Sequence, residues 1–478
     1  MAGPETKSVP LVVDLDGTFL KVDTLYELFV GGLFTVPIAT LRTLFALRHG
    51  IAAFKRELSA VGQLDVDTLP VRDDLLGYLN EEVAAGREIH LVTAADHSVA
   101  SRIADRFPIF KSVHGSDQGV NLKGINKAAR LAELFPGGFA YVGDSHADLP
   151  VWKAARAATV VTSSPSLRDA VSRTGVAIER VFSKRSPQWS AWARAARTHQ
   201  WAKNTVVLVP VILGWRDVTP AALAVTFAMI ALLCVAASLT YLINDMADLA
   251  SDRKHWSKRR RPLASGAIAV RDAVLLVGFA LPITIVAGFL LSPLAGLCLL
   301  LYVVVSLGYS FGWKRIPLVD TFIIASLFTI RILIGITAAD LVPSTWLLAF
   351  SMFFFFSLAI AKRHAEILRA AAHGLQKLEG RGYLISDESM TLVFGISASM
   401  ASIVIVVIYL VEDVFARHIF TNREWLWVAP VAIFLFVCRI WVLAHRARMT
   451  DDPVAFALRD RVSLGLGVFV ALAILLAL

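Results

Sequence analysis

Long apolar runs in the second half of the chain constrain its fold more than any other feature of the sequence. From Thr205 onward, apolar stretches alternate with short charged loops. They read as about nine segments: 205–217, 222–243, 269–291, 293–310, 318–339, 343–361, 391–411, 426–443 and 462–478. A helix needs roughly 20 apolar residues to cross a bilayer, and most of these runs approach that length. The pattern predicts an all-α polytopic membrane domain.

The composition agrees with a division of the chain into a polar part and a membrane part. Of its 478 residues, 56% are hydrophobic, and the mean hydropathy is +0.63, whereas residues 1–200 form a mixed polar sequence. The first apolar stretch, VPLVVDLDGTFL, is short and carries two aspartates, so no signal peptide is expected. Cys234, Cys298 and Cys438 lie inside apolar runs, and no disulfide framework is expected.

Charge placement predicts the orientation of the chain. The loops after the second, fourth, sixth and eighth segments contain RKHWSKRRR, WKR, KRHAEILR and HRARM, whereas the opposite loops contain only Arg216, Arg417 and Arg423. Lys and Arg are enriched in cytoplasmic loops. We therefore expect an integral protein of a bacterial inner (cytoplasmic) membrane with a cytoplasmic N-terminal domain. The net charge of +9 follows from these loops, so no nucleic-acid partner is expected.

The N-terminal part alternates apolar strands with helical patterns. The strands are VPLVVDLDGTFL, REIHLVTAAD, GGFAYVGDSHAD and ATVVTSS, which together predict an α/β doubly wound parallel sheet. Chemistry in such sheets sits at the carboxyl ends of the strands. The polar side chains expected there are Asp14, Asp16, Thr93, Lys127, Asp144 and Asp148. They suit phosphoryl transfer, since they offer a nucleophile, an acid, phosphate-binding groups and Mg²⁺ ligands.

These residues resemble the haloacid dehalogenase-like (HAD-like) phosphatase superfamily. DLDGT (14–18) matches its first motif, Thr93 its second, and GDSHAD (143–148) its fourth. The resemblance implies that Asp14 is the nucleophile and Asp16 the acid/base, with Mg²⁺ expected at these two residues and at Asp144 and Asp148. Lys123 and Lys127 both remain open for the third-motif lysine, and Lys127 is preferred because it opens a helix.

A helical cap is expected between the first two motifs, at about residues 20–85. It contains LYELFVGGLFTVPIATLRTLFAL, which is unusually apolar for a solvent-facing lid. Two interpretations stay open, a packed cap core and a lid that touches lipid or the membrane domain. The expected domains are a HAD-like phosphatase at 1–182, an interfacial linker at 183–203 and the membrane domain at 204–478.

The stretch NDMADLASDRKHWSKRRRP (244–262) joins acids and bases at the end of a membrane segment. Asp245, Asp248 and Asp252 are spaced i, i+3, i+7 and share one helical face. Three carboxylates at a membrane helix end suit Mg²⁺ carrying a diphosphate. The bases that follow suit a second anionic group. A loop that only orients the chain would explain those bases but not the three acids.

This arrangement resembles the UbiA superfamily of intramembrane prenyltransferases, including its tyrosine-plus-basic loop, YSFGWKRIP (309–317). Most members carry a second aspartate-rich motif after the sixth segment, where this chain has KRHAE (362–366). Residues 244–266 are similar to the motif NDxxDxxxDRxHxxKxxRPxAxG of one branch, the decaprenyl-phosphate phosphoribosyltransferases. RTHQWAKN (197–204) also looks like that branch.

The branch implies 5-phosphoribosyl diphosphate as donor, a polyprenyl phosphate as acceptor and Mg²⁺ at Asp245, Asp248 and Asp252. Basic side chains would bind the phosphates. The implied substrate-binding residues are Asn244, Arg253, His255, Lys258, Arg261, Lys203, Tyr309, Lys314, Arg315, Asp320, Arg331, Lys362, Arg363 and Glu366.

Both halves together predict a bifunctional enzyme in which the phosphatase removes the 5-phosphate of the membrane product. Two alternatives remain open. One is a conventional prenyltransferase that joins an allylic polyprenyl diphosphate to an aromatic acceptor. The other is a transporter or scaffold with a phosphatase-like head. The sequence leaves the oligomeric state and the polyprenyl length open.

Overall fold

The computed structural model describes residues 9–117, 119–184, 189–378, 381–416, 420–449, 456–457 and 460–477. The chain divides into two compact units. Unit 1 comprises Met1–Ala195 and Asp245–Val277, and unit 2 comprises Ala196–Asn244 and Gly278–Leu478. Residues 245–277, which contain the acids and bases of the NDMAD stretch, therefore group with the N-terminal part of the chain. The expected domain boundaries at 182 and 203 stay predictions.

Unit 1 is built on a six-stranded sheet of parallel strands in the order β3-β2-β1-β4-β5-β6. The strands are β1 Leu11–Val13, β2 Ile89–Asp96, β3 Ser112–Ser116, β4 Ala140–Gly143, β5 Ala157–Val161 and β6 Ala177–Phe182. The expected parallel sheet is confirmed. The strand order reverses between β1 and β4, and a crevice opens at the carboxyl ends of strands at such a point.

The helices of unit 1 cover both faces of this sheet. They are α1 Thr24–Thr35, α2 Pro37–Thr43, α3 Ile51–Val61, α4 Asp73–Ala84, α5 His97–Ala104, α6 Ile125–Leu134, α7 Leu149–Ala154, α8 Pro165–Ser172 and α9 Trp189–Ala195, with a 3-10 helix at Leu44–His49. Side chains alternate between the faces along β1. Leu11 and Val13 pack into one hydrophobic core, and Val12 packs into the other.

The chain leaves the sheet for a series of long apolar helices. The helices from Thr198 onward are α10 Val209–Leu213, α11 Pro220–Ala247, α12 Leu249–Lys254, α13 Val270–Leu291, α14 Pro293–Phe311, α15 Val319–Ala338, α16 Thr345–Ala372, α17 Glu388–Tyr409, α18 Val428–His445 and α19 Arg461–Ala477. Helices α14 to α17 pack against one another in chain order. Helix α12 and the first turns of α13 belong to unit 1.

Within the described residues, seven helical segments are long and apolar enough to cross a membrane. The expectation of nine is not confirmed. The expected first segment, 205–217, forms the end of a 3-10 helix (Thr198–Leu208) and the five-residue helix α10, with Pro210 in its first turn. Five residues rise about 7.5 Å, far short of a hydrocarbon core of about 30 Å. The expected last segment forms α19, an apolar helix of 17 residues.

A close backbone approach fixes the start of unit 2 against α15. A Cβ at Gly335 would lie 2.1 Å from the carbonyl oxygen of Val207, so only glycine fits there. Small residues allow such approach between membrane segments. As a result the 3-10 helix Thr198–Leu208 lies directly on α15, and its polar side chains reach the buried face of that helix.

Candidate functional site

The first candidate site lies where β1 ends in unit 1. Asp14 directly follows the strand, and its carboxylate accepts a hydrogen bond from the backbone N–H of Leu15 at 2.9 Å. Gly17 then turns the chain with a φ of +73°. A Cβ at Gly17 would lie 2.5 Å from Oδ2 of Asp144, so glycine lets the turn approach that carboxylate.

Asp16 is held by the start of α1. Its carboxylate accepts hydrogen bonds from the backbone N–H of Thr24 at 2.8 Å and from the hydroxyl of Thr24 at 3.2 Å. Burial, followed by the charge of Asp23, raises the pKa of Asp16 to about 8. Burial also raises the pKa of Asp14 to about 6, against the opposing effect of Lys127. At neutral pH Asp16 is therefore mostly protonated and Asp14 mostly ionised.

Lys127 lies in the first turn of α6 and is fully buried. Its ammonium is 2.9 Å from Oδ1 of Asp14 and 3.7 Å from Oδ1 of Asp148. It also donates to the hydroxyl of Tyr141 at 2.9 Å, and that hydroxyl donates to Asp148 at the same distance. Although burial lowers the pKa of Lys127, the carboxylates of Asp14 and Asp148 raise it above its ordinary value.

Three carboxylates at this edge of the sheet form a group that fits a metal ion. Oxygens of Asp14, Asp144 and Asp148 lie within 4.8 Å of one another, and carboxylate oxygens are the ligands that Mg²⁺ takes. The carboxylate of Asp16, which accepts from Thr24, is not a member of this group, and its expected role as a metal ligand stays a prediction. Thr93, which lies inside β2 three residues before the strand ends, lines the same cavity and accepts a hydrogen bond from the backbone N–H of Ala95.

The carboxylates face a cavity of about 580 Å³ inside unit 1. Lys55 of α3 lines it and donates to the carbonyl of Ala94 at 2.5 Å. Part of the wall comes from residues just before and within the first turn of membrane helix α13, namely Gly266, Ala267, Ala269, Arg271 and Asp272. This part of the wall was not foreseen, because these residues lie more than a hundred positions beyond GDSHAD (143–148).

The acids of the NDMAD stretch are held together by one base. Arg261 donates to Oδ1 of Asp245 at 3.1 Å and to Oδ2 of Asp252 at 2.6 Å. The other oxygen of Asp252, Oδ1, is buried and has no hydrogen-bond partner among the described residues. Burial raises the pKa of Asp252, against the effect of Arg261. A buried carboxylate oxygen without a donor fits a divalent cation, so these residues suit Mg²⁺. Asp248 caps α12 and is half-buried.

The bases of this stretch have different surroundings. Arg253 is buried and forms a two-pronged ion pair with Glu27 of α1, at 3.0 and 2.7 Å. His255 accepts from the backbone N–H of Ser257 at 3.2 Å. Lys258 is exposed. The expected role of Arg253 in substrate binding stays a prediction, and its contact with the N-terminal part was not foreseen.

A second polar cluster lies within unit 2. Asp320 of α15 is fully buried and accepts from Nε of Arg363 and from the hydroxyl of Tyr383, each at 2.6 Å. Arg363 also pairs with Glu366, one turn further along α16. Arg381 donates to the hydroxyl of Tyr309 at 2.5 Å. The cluster thus brings together four expected site residues and two that sequence reasoning missed, Arg381 and Tyr383.

Arg331 forms a third polar contact set inside the helices of unit 2. Its guanidinium donates to Oδ1 of Asn204 at 2.9 Å, to the carbonyl of Leu327 at 2.7 Å and to the hydroxyl of Tyr302 at 3.1 Å. Its predicted burial inside the membrane helices is therefore observed. Asn204 is the last residue of RTHQWAKN (197–204), and nothing else in the sequence indicated that it would contact Arg331.

The remaining expected residues lie at several places in the helices and turns of unit 2. Arg315 is exposed in the turn between α14 and α15. The half-buried members are Lys203, Asn244, Lys314 and Lys362. Their roles stay predictions.

One known protein matches almost the whole length of the chain, and others match a little more than half of it. The sequence signature of the UbiA prenyltransferase family matches residues 205–465. Uncharacterized protein y4nM of Sinorhizobium fredii is 39% identical over 99% of this chain and 92% of its own length. Nodulation protein NoeC of Azorhizobium caulinodans is 32% identical over 58% of this chain and 92% of its own. The decaprenyl-phosphate phosphoribosyltransferase of Mycolicibacterium smegmatis is 29% identical over 57% of this chain and 87% of its own.

The apolar helices and the charged clusters at their ends define a helical transferase of the membrane. The chain belongs to the UbiA prenyltransferase family. It is an integral membrane protein, and the family match does not extend over the parallel sheet of unit 1.

Proposed function

We propose that this chain is a polyprenyl-phosphate phosphoribosyltransferase whose parallel-sheet unit is a HAD-like phosphatase. The transferase would move 5-phosphoribose from 5-phosphoribosyl diphosphate to a polyprenyl phosphate such as decaprenyl phosphate. The phosphatase would then remove the 5-phosphate of the product. The protein would lie in a bacterial inner membrane with the sheet unit in the cytoplasm, because the basic loops follow the positive-inside pattern.

The observation that carries the transferase proposal is the likeness to decaprenyl-phosphate phosphoribosyltransferases over more than half of the chain. The geometry of the NDMAD stretch supports it. Asp245 and Asp252 are buried and share Arg261 as a donor, and in the part of the chain that the structure describes no donor reaches Oδ1 of Asp252. When bound, Mg²⁺ would neutralise charge on the diphosphate.

The proposed transfer needs no protein nucleophile. An anionic oxygen of the lipid phosphate attacks C1 of the ribose, the bond from C1 to the diphosphate oxygen breaks, and diphosphate leaves. Asp245, Asp248 and Asp252 would hold Mg²⁺, and the basic residues would bind the phosphate groups that remain. No proton has to move in this step.

The phosphatase proposal rests on the environments of two aspartates. Asp14, ionised at neutral pH, would attack the phosphorus of the 5-phosphate, while Asp16, protonated, would give its proton to the leaving ribose oxygen. Water would then hydrolyse the phosphoryl-Asp14 bond, with Asp16 taking a proton from that water. Lys127 would stabilise the phosphate oxygens, and Asp14, Asp144 and Asp148 would hold Mg²⁺.

Glu366 bears on the alternative reaction with an allylic diphosphate. A second Mg²⁺ site after the sixth segment would need several carboxylates, whereas KRHAE (362–366) contains Glu366 as its one acid. The carboxylate of Glu366 pairs with Arg363, which also holds Asp320. This arrangement favours the phosphoribosyl donor over conventional prenyl transfer to an aromatic acceptor.

The test is incubation of the purified protein in detergent with Mg²⁺, 5-phosphoribosyl diphosphate and a polyprenyl phosphate, followed by mass spectrometry of the lipids. We expect the parent to give ribosylated lipid without the 5-phosphate. Asp14→Asn should accumulate the phosphorylated form, and Asp248→Asn should give neither.

Two outcomes would contradict parts of this proposal. If the parent and Asp14→Asn both stop at the phosphorylated lipid, the sheet unit acts on something else. If the parent forms no ribosylated lipid but joins an allylic polyprenyl diphosphate to an aromatic acceptor, the donor assignment is wrong.

A further inference from the structure

Helix α2 and the 3-10 helix that follows it are inverted relative to an ordinary surface helix. Thr40 and Thr43 are 0% and 2% exposed, and each hydroxyl donates to a backbone carbonyl. Ile38 and Phe45 are 69% and 71% exposed. Polar groups inside and large apolar groups outside are the reverse of what water favours, and this pattern is typical of a surface in contact with lipid.

The exposed apolar side chains all come from α2, the 3-10 helix Leu44–His49 and the first residue of α3, and we name them the lid face. Its members are Ile38, Leu41, Leu44, Phe45, Leu47 and Ile51. The helices beneath it are tightly packed, since a Cβ at Gly32 of α1 would lie 2.5 Å from the hydroxyl of Thr40. The face is therefore a fixed surface of unit 1 and is not produced by a loosely packed helix.

Charge around the lid face matches an anionic membrane surface. No acidic residue occurs between Glu27 and Glu57, whereas Arg42 and Arg48 flank the apolar side chains and are exposed. Apolar side chains bordered by arginine are typical of segments that lie in the membrane interface, where anionic head groups attract the bases.

The same unit contains the start of a membrane span beside the cavity. Ala269, Arg271 and Asp272 line the cavity that holds Asp14. The apolar span begins at Val270, and Leu275 and Leu276 are already exposed. Three residues of helix rise about 4.5 Å, so the cavity wall lies within about one turn of the lipid-facing part of α13. The lid face also borders the cavity, because Ile51 belongs to both the lid face and the cavity lining.

We infer that the lid face inserts into the cytoplasmic surface of the bilayer and places the phosphatase cavity over lipid-anchored substrates. The occupant of the face is lipid, with anionic head groups at Arg42 and Arg48. The part of this inference that concerns substrates rests on the proposed phosphatase function. It makes the substrate class a phosphomonoester whose apolar tail stays in the membrane.

Spin labelling tests the membrane contact without any enzymatic assay. The native cysteines would be replaced, and a nitroxide would be attached at Phe45→Cys or, as a control, at Ala60→Cys on exposed α3 of the same unit. In nanodiscs containing phosphatidylglycerol, we expect the label at 45 to be more accessible to oxygen than to a water-soluble nickel chelate, and the label at 60 to show the reverse. The inference would be wrong if the nickel chelate reaches the label at 45 as readily as the label at 60. It would also be wrong if neither oxygen nor the chelate reaches the label at 45.

A substitution tests the consequence for substrates. Phe45→Glu should slow hydrolysis of vesicle-embedded polyprenyl-phosphoryl-5-phosphoribose by about tenfold or more, since withdrawing one large apolar side chain from lipid costs about 1.5–3 kcal/mol. Hydrolysis of soluble ribose 5-phosphate should stay within about twofold, which shows that the variant is folded. Equal loss on both probes would mean that Phe45 is structural and would contradict the inference. If the parent hydrolyses neither probe, the phosphatase proposal fails while the labelling result still decides the membrane contact.

Discussion

Gly17 shows how one residue sets the geometry of the acids in unit 1. Any side chain there meets Oδ2 of Asp144, which a Cβ would approach to 2.5 Å. We expect Gly17→Ala to lower Mg²⁺-dependent hydrolysis of a phosphate ester about 100-fold, because a displacement of about 1 Å in a catalytic group has effects of that size. Hydrolysis of p-nitrophenyl phosphate by the purified protein measures it.

Gly86 provides the matched control. Its φ of +86° is as unfavourable for alanine as that of Gly17, but a Cβ there would meet nothing within 4 Å. Gly86→Ala should therefore have the same backbone strain and leave hydrolysis nearly unchanged. A comparable loss in both variants would show that strain, and not the approach to Asp144, explains the effect.

The two candidate lysines of the third motif can also be separated. Lys127 is buried between Asp14 and Asp148, whereas Lys123 is exposed at the cavity edge. We expect Lys127→Met to abolish hydrolysis, since it removes the cation beside Asp14 that would stabilise the phosphate oxygens during the reaction. Lys123→Met should keep at least about a third of the parent rate, as expected of an exposed substitution. The reverse order of effects would assign the role to Lys123.

At this scale the sequence predicted residue types better than their partners. The position of Asp14 directly after β1 followed from the apolar run before it, and the burial of Arg331 followed from its place in an apolar segment. Thr93 was also expected at a strand end, whereas it lies inside β2. Its partner Tyr302 lies 29 positions away, and Tyr383 lies 63 positions from Asp320. Such pairs depend on how helices pack, which a single sequence does not encode locally.

Two neighbouring residues of α12 form ion pairs that differ in burial, one with α1 and one with the loop after α3. The side chains of Arg253 and Glu27 are 6% and 3% exposed, whereas those of Lys254 and Asp65 are 65% and 28% exposed. We expect Glu27→Gln to destabilise unit 1 by about 3–5 kcal/mol. The change is measured by heating the purified protein and using limited proteolysis to monitor unfolding of the sheet unit.

Asp65→Asn is the control for this comparison, because it removes the ion pair of the neighbouring residue of α12, Lys254. An exposed pair contributes only about 0.2–1 kcal/mol, so its variant should melt close to the parent. The charge swap Glu27→Arg with Arg253→Glu should recover part of the lost stability. If the Glu27 and Asp65 variants have the same melting temperature, burial does not decide the strength of these ion pairs.

The strands with a clear apolar pattern were predicted from the sequence, whereas the two edge strands of the sheet were not. β1, β2, β4 and β5 are apolar and were identified, whereas β3 and β6 lie at the edges of the sheet. Edge strands are partly solvated, and SVHGS and AIERVF accordingly lack a continuous apolar run. The first apolar segment was misassigned for a related reason, since its apolar character comes from packing of a short helix on α15.

The topology of the whole chain gives a prediction that depends on loop charge alone. In a background without Cys234, Cys298 and Cys438, a cysteine at Trp256 should react with a membrane-impermeant maleimide in inside-out vesicles and not in intact spheroplasts. A cysteine at Val342, in the loop between α15 and α16, should show the opposite pattern. If both cysteines react in the same preparation, the predicted orientation is wrong.

For the molecule as a whole, the membrane family followed from the acid spacing and the basic loops, and the family match agrees with it. The helix count did not follow, because apolar runs of similar composition can form short buried helices as well as spans. The grouping of residues 245–277 with the sheet was also invisible, since nothing in their composition distinguishes a solvated loop from one that contacts another part of the chain.

The wall of the cavity formed by residues 266–272 has a consequence for how this gene could be divided or acquired. A fragment that ends at the linker would keep Asp14, Lys127 and Asp148 but would lose one side of the chamber around them. The sheet unit with its complete cavity therefore cannot be separated by a cut at the linker, because part of the cavity wall comes from the chain between α11 and the first turn of α13.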